Sequence, residues 1–492
     1  MRPLATPVWL LNHSQMNSLV ELTRNSLYAV VFHLAPRFAN VLLYITIGRL
    51  SGPEEAGVFA LAMTYLLIFT TITRGLDDLV VRQVSWSSDE AARYLTNFLL
   101  LRLVLSLVLF GISVFLVLFV FTYTDRTIGV ILIMVLSVVP DSLSYVPQAI
   151  LMGQHRFGVL AAVLSSANLF KLLGGWAILL VDGTLQAVAW VWFIGTVCGT
   201  LVLTGIAIRH VGGLRRSDWL DWRALMVNQR AALSFLLITA MMTLEAQIDT
   251  LILSALHDTV VVGWYSAATT VTFSLVMFAQ AYRFAVYPLM ARYAQDGSEN
   301  LSRLYKRSVR YLGTIVLPMV FGVFLLSPNI IVTVFGPEFE RSALALRVLI
   351  PVLVFIFLNI PDSRMMLVQE RQEQILLFLV SSLMVNGILN WIMDPVWGAA
   401  GAAAARLCSS SLFFFLTHRY VVRNFVPLHL GRLLFRPIAA ALVMSVVVWL
   451  LRERSLLLSI SSGAVTYIAA LWFFGGIPPE DLLFVRRSLV ER

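Results

Sequence analysis

The sequence predicts an all-α integral membrane protein of about fourteen transmembrane helices, arranged as two six-helix lobes followed by two C-terminal helices. Three observations carry this expectation. Of 492 residues, 59% are apolar and 13% are charged, against about 25% charged in an ordinary soluble domain. Apolar runs of about twenty residues, the length that crosses a hydrocarbon core of about 30 Å, recur along the chain between short polar breaks. Weak internal matches also repeat at an offset near 200 residues, as in transporters built from two related bundles.

The runs fall, in order, at Leu27–Gly48, Val58–Thr73, Asn97–Phe121, Ile128–Ile150, Gly158–Val181 and Gln186–Ile208 for the first lobe. The second lobe takes Leu233–Leu256, Val262–Met290, Tyr311–Phe335, Leu344–Met366, Ile375–Met393 and Gly398–Val421, and spans thirteen and fourteen follow at Leu433–Leu451 and Leu456–Phe474. The expected division is therefore an N-terminal segment 1–26, an N-lobe 27–208, a basic linker 209–230, a C-lobe 231–421, the appended helices within 422–475, and a tail 476–492. The first 26 residues lack a continuous apolar core before a small-residue cleavage site, so the first span is read as the insertion signal.

Orientation follows from the basic residues. Arg accounts for 34 of them and Lys for 2, and the net charge is +9. Alternating the fourteen spans places 25 of these cations on the side of both termini and 6 on the other, with Arg37, Arg102, Lys171, Arg283 and Arg406 inside spans. The positive-inside rule then puts both termini and the 209–230 linker in the cytoplasm, and the excess charge is topological rather than a nucleic-acid signature.

The repeat rests on three matches. Leu50-Ser51 with Gly57-Val58-Phe59-Ala60 resembles Leu253-Ser254 with Gly263-Trp264-Tyr265-Ser266, and Gln154-His155-Arg156 with Ser165-Ser166 resembles Gln369-Glu370-Arg371 with Ser381-Ser382. Cys198 and Cys408, each in an apolar run, stand at a similar offset and are read as free buried thiols.

Several chemistries are excluded. Phe170-Lys171 and Tyr305-Lys306 are the only lysine contexts, so no P-loop exists. No His-Glu-x-x-His and no Cys-x-x-Cys occurs, and no metal or other cofactor is expected. Outward loops of about ten residues or fewer leave no room for an extracytoplasmic catalytic domain. The chain is read as a transporter and not an enzyme.

Candidate site residues are the ionisable groups inside spans, since each costs at least about 2.5–3.5 kcal/mol to insert and normally faces a partner or a wet cavity. Arg37, preceded by Pro36, lies ten residues into its span, where it meets either an anionic substrate or a buried acid such as Asp141. Lys171, after Asn168 and before Gly174-Gly175, suits a phosphate or a carboxylate. Arg283 and Arg406 are the corresponding cations of the second lobe, and Arg102, nearer a helix end, snorkels or faces the lumen. Glu245 and Asp249, four residues apart on the seventh span, share a face that either binds H⁺ or Na⁺ or pairs locally. Asp77, Asp78, Asp141 and Asp362 are further acids near or within spans, and Trp190, Trp192, Trp264 and Trp391 read as interface belts or packing residues.

The first hairpin, Arg24-Asn25-Ser26-Leu27-Tyr28 leading to Gly48-Arg49-Leu50-Ser51-Gly52-Pro53-Glu54-Glu55-Ala56-Gly57, resembles the N-terminal signature of the polysaccharide-transporter branch of the MOP flippase superfamily. Ile248-Asp249-Thr250-Leu251 with Val262-Gly263-Trp264-Tyr265, then Phe335-Gly336-Pro337-Glu338-Phe339, Asn386 to Asn390, and Gly398-Ala399-Ala400-Gly401, are similar to its later segments, covering about Arg24 to Tyr420. The chain departs at Asp394-Pro395-Val396-Trp397, where the family often has Ile-Pro. The resemblance implies a MATE-like fold and a Wzx-like flippase of the bacterial inner membrane, moving an undecaprenyl-diphosphate-linked oligosaccharide for surface polysaccharide synthesis by alternating access. It also implies a cavity between lobes whose cations meet the diphosphate, with Arg37, Lys171, Arg283 and Arg406 as candidates. The partners it implies are membrane lipid, an H⁺ or Na⁺ coupling ion, and the glycosyltransferases and polymerase of the pathway. Alternatives of the same fold are a drug or metabolite antiporter and a lipid II flippase, and a third class is a membrane scaffold for glycosyltransferases.

Overall fold

The structure, a computed structural model, describes residues 13–74, 81, 91–181, 183–212, 229–296 and 298–476. All regular structure among the described residues is helical. In chain order the helices are α1 (His13–Arg74), α2 (Ala91–Phe115), α3 (Asp125–Leu136), α4 (Val138–Gly153), α5 (Phe157–Leu180), α6 (Leu185–His210), α7 (Gln229–Leu256) and α8 (Thr259–Asp296). They continue as α9 (Ser298–Phe335), α10 (Ser342–Leu349), α11 (Val352–Val368), α12 (Gln372–Trp397), α13 (Ala399–Asn424), α14 (Leu430–Leu451) and α15 (Leu456–Phe473).

Among the described residues, twelve helical segments are long and apolar enough to cross a membrane. This is a different count from the fourteen expected. The first two expected spans share α1, which is broken at Gly52 (φ 81°, ψ −178°). Glycine tolerates this backbone, and Pro53 restarts the helix without needing an amide hydrogen. The seventh expected span lies in α7, which is not among the twelve and carries Glu245, Gln247 and Asp249 close together. Conversely α3 and α4 together form one crossing segment, as do α10 and α11.

Local chemistry sets several helix starts. Thr124, Thr184 and Ser455 cap α3, α6 and α15 by accepting from the amides of Thr127, Ala187 and Leu458. Gly398 (φ 52°) is the single residue joining α12 to α13. The turn brings the two backbones so close that a Cβ on Gly401 would stand 2.5 Å from the Met393 carbonyl oxygen. Large apolar side chains lie on the outside, with Leu457 at 77% and Phe473 at 80% exposure. Helices satisfy their own backbone groups, so such a surface is stable in lipid and not in water.

The chain forms two compact units. The first comprises residues 1–51 and 58–243, and the second comprises 52–57 and 244–492. The division falls within α7, whereas the basic segment that the sequence marks as the linker lies largely outside the described residues. In the first unit, Leu95, Val146, Ala149 and Ile150 form one buried cluster, and Leu151, Leu160 and Leu203 form another. In the second, Met290, Tyr305, Val309, Met365, Met366 and Phe414 pack where α8, α9, α11 and α13 meet. Within that unit the 52–57 segment packs reciprocally on the start of α8. A Cβ on Gly57 would stand 1.7 Å from the Thr259 oxygen, and one on Gly263 would stand 2.0 Å from the Pro53 oxygen. Both pairs are separated by the 206 residues that the sequence repeat assigns to this match.

Candidate functional site

The first unit encloses a cavity of about 380 Å³, in the size range of small-molecule sites. Its walls come from both arms of α1 and from α4, α5 and α6. Arg37, Arg74, Lys171 and Asp141 are the charged groups lining it, three cations against one carboxylate, and Asn40, Ser144, Gln148, Asn168, Thr196 and Thr200 add hydrogen-bonding groups.

Each cation is positioned differently. Arg37 follows Pro36 on the first arm of α1, is solvent-exposed on the cavity wall, and makes no ion pair among the described residues. Lys171 is buried, and its Nζ stands 4.5 Å from the centre of the Trp192 ring, a cation–π contact that orients the ammonium. Its stem crosses Gly195 so closely that a Cβ there would stand 2.8 Å from the Lys171 Cγ. The absence of a side chain at Gly195 is therefore what lets Lys171 lie along α6 into the cavity. The Arg74 guanidinium stacks 4.2 Å above Tyr145, whose hydroxyl donates to Asp141 Oδ2 at 3.1 Å. Gln148 donates to the Ser144 hydroxyl at 2.9 Å, extending the polar wall along α4.

The second unit holds a buried charge network. Arg406, 3% exposed, forms ion pairs of 2.8 Å with Glu245 Oε1 and with Asp249 Oδ2, and donates to the main-chain oxygens of Glu245 and Ala246. Tyr265 donates to Asp249 Oδ2 at 2.6 Å, and Asn390 donates to Asp249 Oδ1 at 3.1 Å. Elsewhere in this unit buried Asp362 accepts from the Tyr305 hydroxyl at 2.5 Å, and the His418 ring nitrogen Nδ1 lies 3.0 Å from its other oxygen.

The structure thus brings Arg37 and Lys171 to one cavity and gathers Arg406, Glu245 and Asp249 into one ion-paired group. Arg406, expected to face the cavity, is instead enclosed by two carboxylates and two carbonyls. The two acids expected to take a coupling ion already hold its guanidinium. Arg102, expected to snorkel or face the lumen, is fully buried and donates to the Ser142 carbonyl at 3.1 Å. The side chain of Arg283, and Asp77 and Asp78, lie outside the described residues. Sequence reasoning did not select Arg74, Tyr145 or Trp192 for the cavity. No local signal marks them, because they reach it only through the packing of α1, α4 and α6. The polar stripe Ser382, Asn386, Asn390 and Asp394 was accessible to it, since four-residue spacing puts all four on one helix face.

These features find counterparts in known proteins. The fold is similar to that of a lipid II flippase, MurJ, in an inward closed conformation, with a TM-score of 0.73 and 16% identity over 93% of this chain and 99% of the other. It is also similar to an inward-facing multidrug resistance MATE family transporter of the MOP superfamily, with a TM-score of 0.65 and 14% identity over 80% and 98%. The protein is therefore a multi-pass membrane protein with the MOP superfamily fold. Within that class, residues 46–344 match the family model described as polysaccharide biosynthesis protein, and the chain belongs to that family. A probable low-salt glycan biosynthesis flippase, Agl15, from Haloferax volcanii is 22% identical over 83% of this chain and 84% of its own.

Proposed function

We propose that the protein is a flippase for a lipid-linked oligosaccharide, holding the carrier's diphosphate in the first-unit cavity while the sugar passes the membrane. The observation that carries this reading is the net charge of +2 on that cavity's wall, with Arg37 exposed on it and Lys171 beside it. A phosphate anion loses its hydration on entering a membrane protein, and charge-assisted hydrogen bonds to guanidinium and ammonium groups replace it. The cavity volume suits a phosphate headgroup and an adjoining sugar, and the surrounding amide and hydroxyl groups suit sugar hydroxyls. Membership of a polysaccharide biosynthesis family and likeness to a glycan flippase support the same cargo class.

In this reading the carrier is undecaprenyl diphosphate, the membrane is the bacterial inner membrane, and both termini are cytoplasmic, as the 25 to 6 division of basic residues supports. Movement is by alternating access, without catalysis by the chain, in a pathway that also supplies glycosyltransferases and a polymerase. Glu245 and Asp249 serve Arg406, and an H⁺ or Na⁺ taken up by them has to compete with its guanidinium.

The test is complementation of a flippase-null strain, with the accumulated lipid-linked intermediate identified by mass spectrometry, for the wild type, Arg37→Ala, Arg37→Lys and Arg37→Ala/Asp141→Asn. Wild-type rescue, loss in Arg37→Ala at normal protein level and partial rescue by Arg37→Lys are expected. A folded, fully active Arg37→Ala variant would remove Arg37 from cargo binding. Restoration in the double variant would assign Arg37 to charge balance with Asp141. Drug efflux without rescue would favour the antiporter reading.

A further inference from the structure

The departure from the family pattern at Asp394 leads to a site in the second unit. Helix α12 carries Ser382, Asn386, Asn390 and Asp394 at four-residue spacing, and all four are buried at 1% exposure or less. The first three are tied to their surroundings. Ser382 donates to the Ser409 carbonyl at 2.9 Å, and Asn386 donates to the Ser409 hydroxyl at 3.0 Å. The Asn390 amide nitrogen donates to Asp249 Oδ1, to the Asn386 carbonyl and to the Asn386 side-chain oxygen. Every one of those partners is an acceptor, so the amide's orientation is fixed.

That orientation has a consequence on the other side of the amide. The Asn390 side-chain oxygen is buried with no hydrogen-bond partner among the described residues, and the same holds for both carboxylate oxygens of Asp394. Three buried acceptors therefore stand on adjacent turns of one helix with no donor. The neighbouring donors are engaged elsewhere. His257 Nε2 lies 2.7 Å from the main-chain oxygen of Asp394, Arg406 holds Glu245 and Asp249, and the Tyr265 hydroxyl donates to Asp249. The charged and titratable groups around Asp394 are thus Glu245, Asp249 and His257 on α7, Tyr265 on α8 and Arg406 on α13. Three carboxylates face one guanidinium.

Burial of acceptors without donors is costly, and burial of an unpaired carboxylate charge is costlier. One added hydrogen answers both. We propose that Asp394 and Asn390 form a proton-binding site, with Asp394 carrying the proton and donating it as a hydrogen bond to the Asn390 side-chain oxygen. The proton removes one negative charge from the cluster and turns one of the three acceptors into the missing donor. A hard metal cation needs about six oxygen ligands, twice the number of acceptors that stand without a donor here. The assignment does not depend on the cargo, so its failure and that of the flippase reading are separable.

Infrared difference spectroscopy on the full-length protein in lipid bilayers tests it, with sodium-free buffer, a pH titration, exchange into D₂O, and the variants Asp394→Asn and Glu245→Gln. Wild type should show at neutral pH the carbonyl band of a neutral carboxylic acid that shifts in D₂O and disappears on alkalinisation. The band should persist in Glu245→Gln and vanish in Asp394→Asn, which stays folded because its amide NH₂ donates to Asn390 where the acid did. Identical spectra for wild type and Asp394→Asn across the titration would overturn the proposal. Loss of the wild-type band on adding NaCl at fixed pH would overturn it too, by assigning the acceptors to a metal cation, and this arm needs no variant.

Discussion

Replacing Arg406 by Leu isolates the buried charge network of the second unit. In wild type the guanidinium faces Glu245 and Asp249 at 2.8 Å each, with Asp249 at 1% and Glu245 at 22% side-chain exposure. The two acids lose unequally when the cation goes. Glu245 keeps access to solvent and is rehydrated at a cost of about 1 kcal/mol or less. Asp249 is left with two donors, Tyr265 and Asn390, and a charge that nothing neutralises. Breaking a buried pair from one side costs about 3–5 kcal/mol, so nearly all the expected destabilisation of Arg406→Leu lies on Asp249. The double variant Arg406→Leu/Asp249→Asn removes that charge and should recover to within about 1 kcal/mol of wild type, because an apolar replacement of a buried pair is often neutral. The assay is thermal and denaturant unfolding of purified protein in one detergent, completed as a double-mutant cycle. A strongly destabilised single variant with a recovered double variant is the expected pattern. An Arg406→Leu protein as stable as wild type but unable to transport would refute the reasoning and place the guanidinium on the cargo.

Other outcomes follow from particular contacts. Gly195→Val should lower transport more than protein level, because its side chain meets the Lys171 stem; equal transport per folded molecule would show that Lys171 has another route to the cavity. Gly57→Ala and Gly263→Ala should each destabilise by about 1–3 kcal/mol or more, since each added methyl meets a main-chain oxygen at 2.0 Å or less, and unchanged melting temperatures would refute that close approach. A cysteine introduced as Ser217→Cys should resist impermeant reagents in intact cells with a permeabilised outer membrane, and labelling would reverse the proposed topology. If Glu245 or Asp249 takes a coupling ion, Glu245→Gln or Asp249→Asn should change the dependence of transport on that ion's gradient, whereas unchanged dependence in both leaves them as partners of Arg406.

The membrane character and helical class follow from the sequence itself, because hydrophobicity and the need to satisfy every backbone group in lipid are properties of each segment alone. Gly52-Pro53 likewise announces a break, since both residues restrict their own backbone. Span counts were less secure, because continuity across Gly52 and the merging of α3 with α4 depend on how neighbouring segments stack. The intramembrane charges could be recognised as costly one at a time, but the identity of each partner could not be read. Arg37 and Lys171 were both legible as cations that need a partner, yet Trp192, Tyr145 and Asp141 meet them only where α4, α5 and α6 pack around α1. Arg406 was indistinguishable in sequence from a cavity cation, and only the approach of α7 to α13, bringing together residues about 160 positions apart, made it a buried ion pair. Sequence fixes which side chains are expensive in lipid; the fold decides which are compensated by protein, and so which remain available to a ligand.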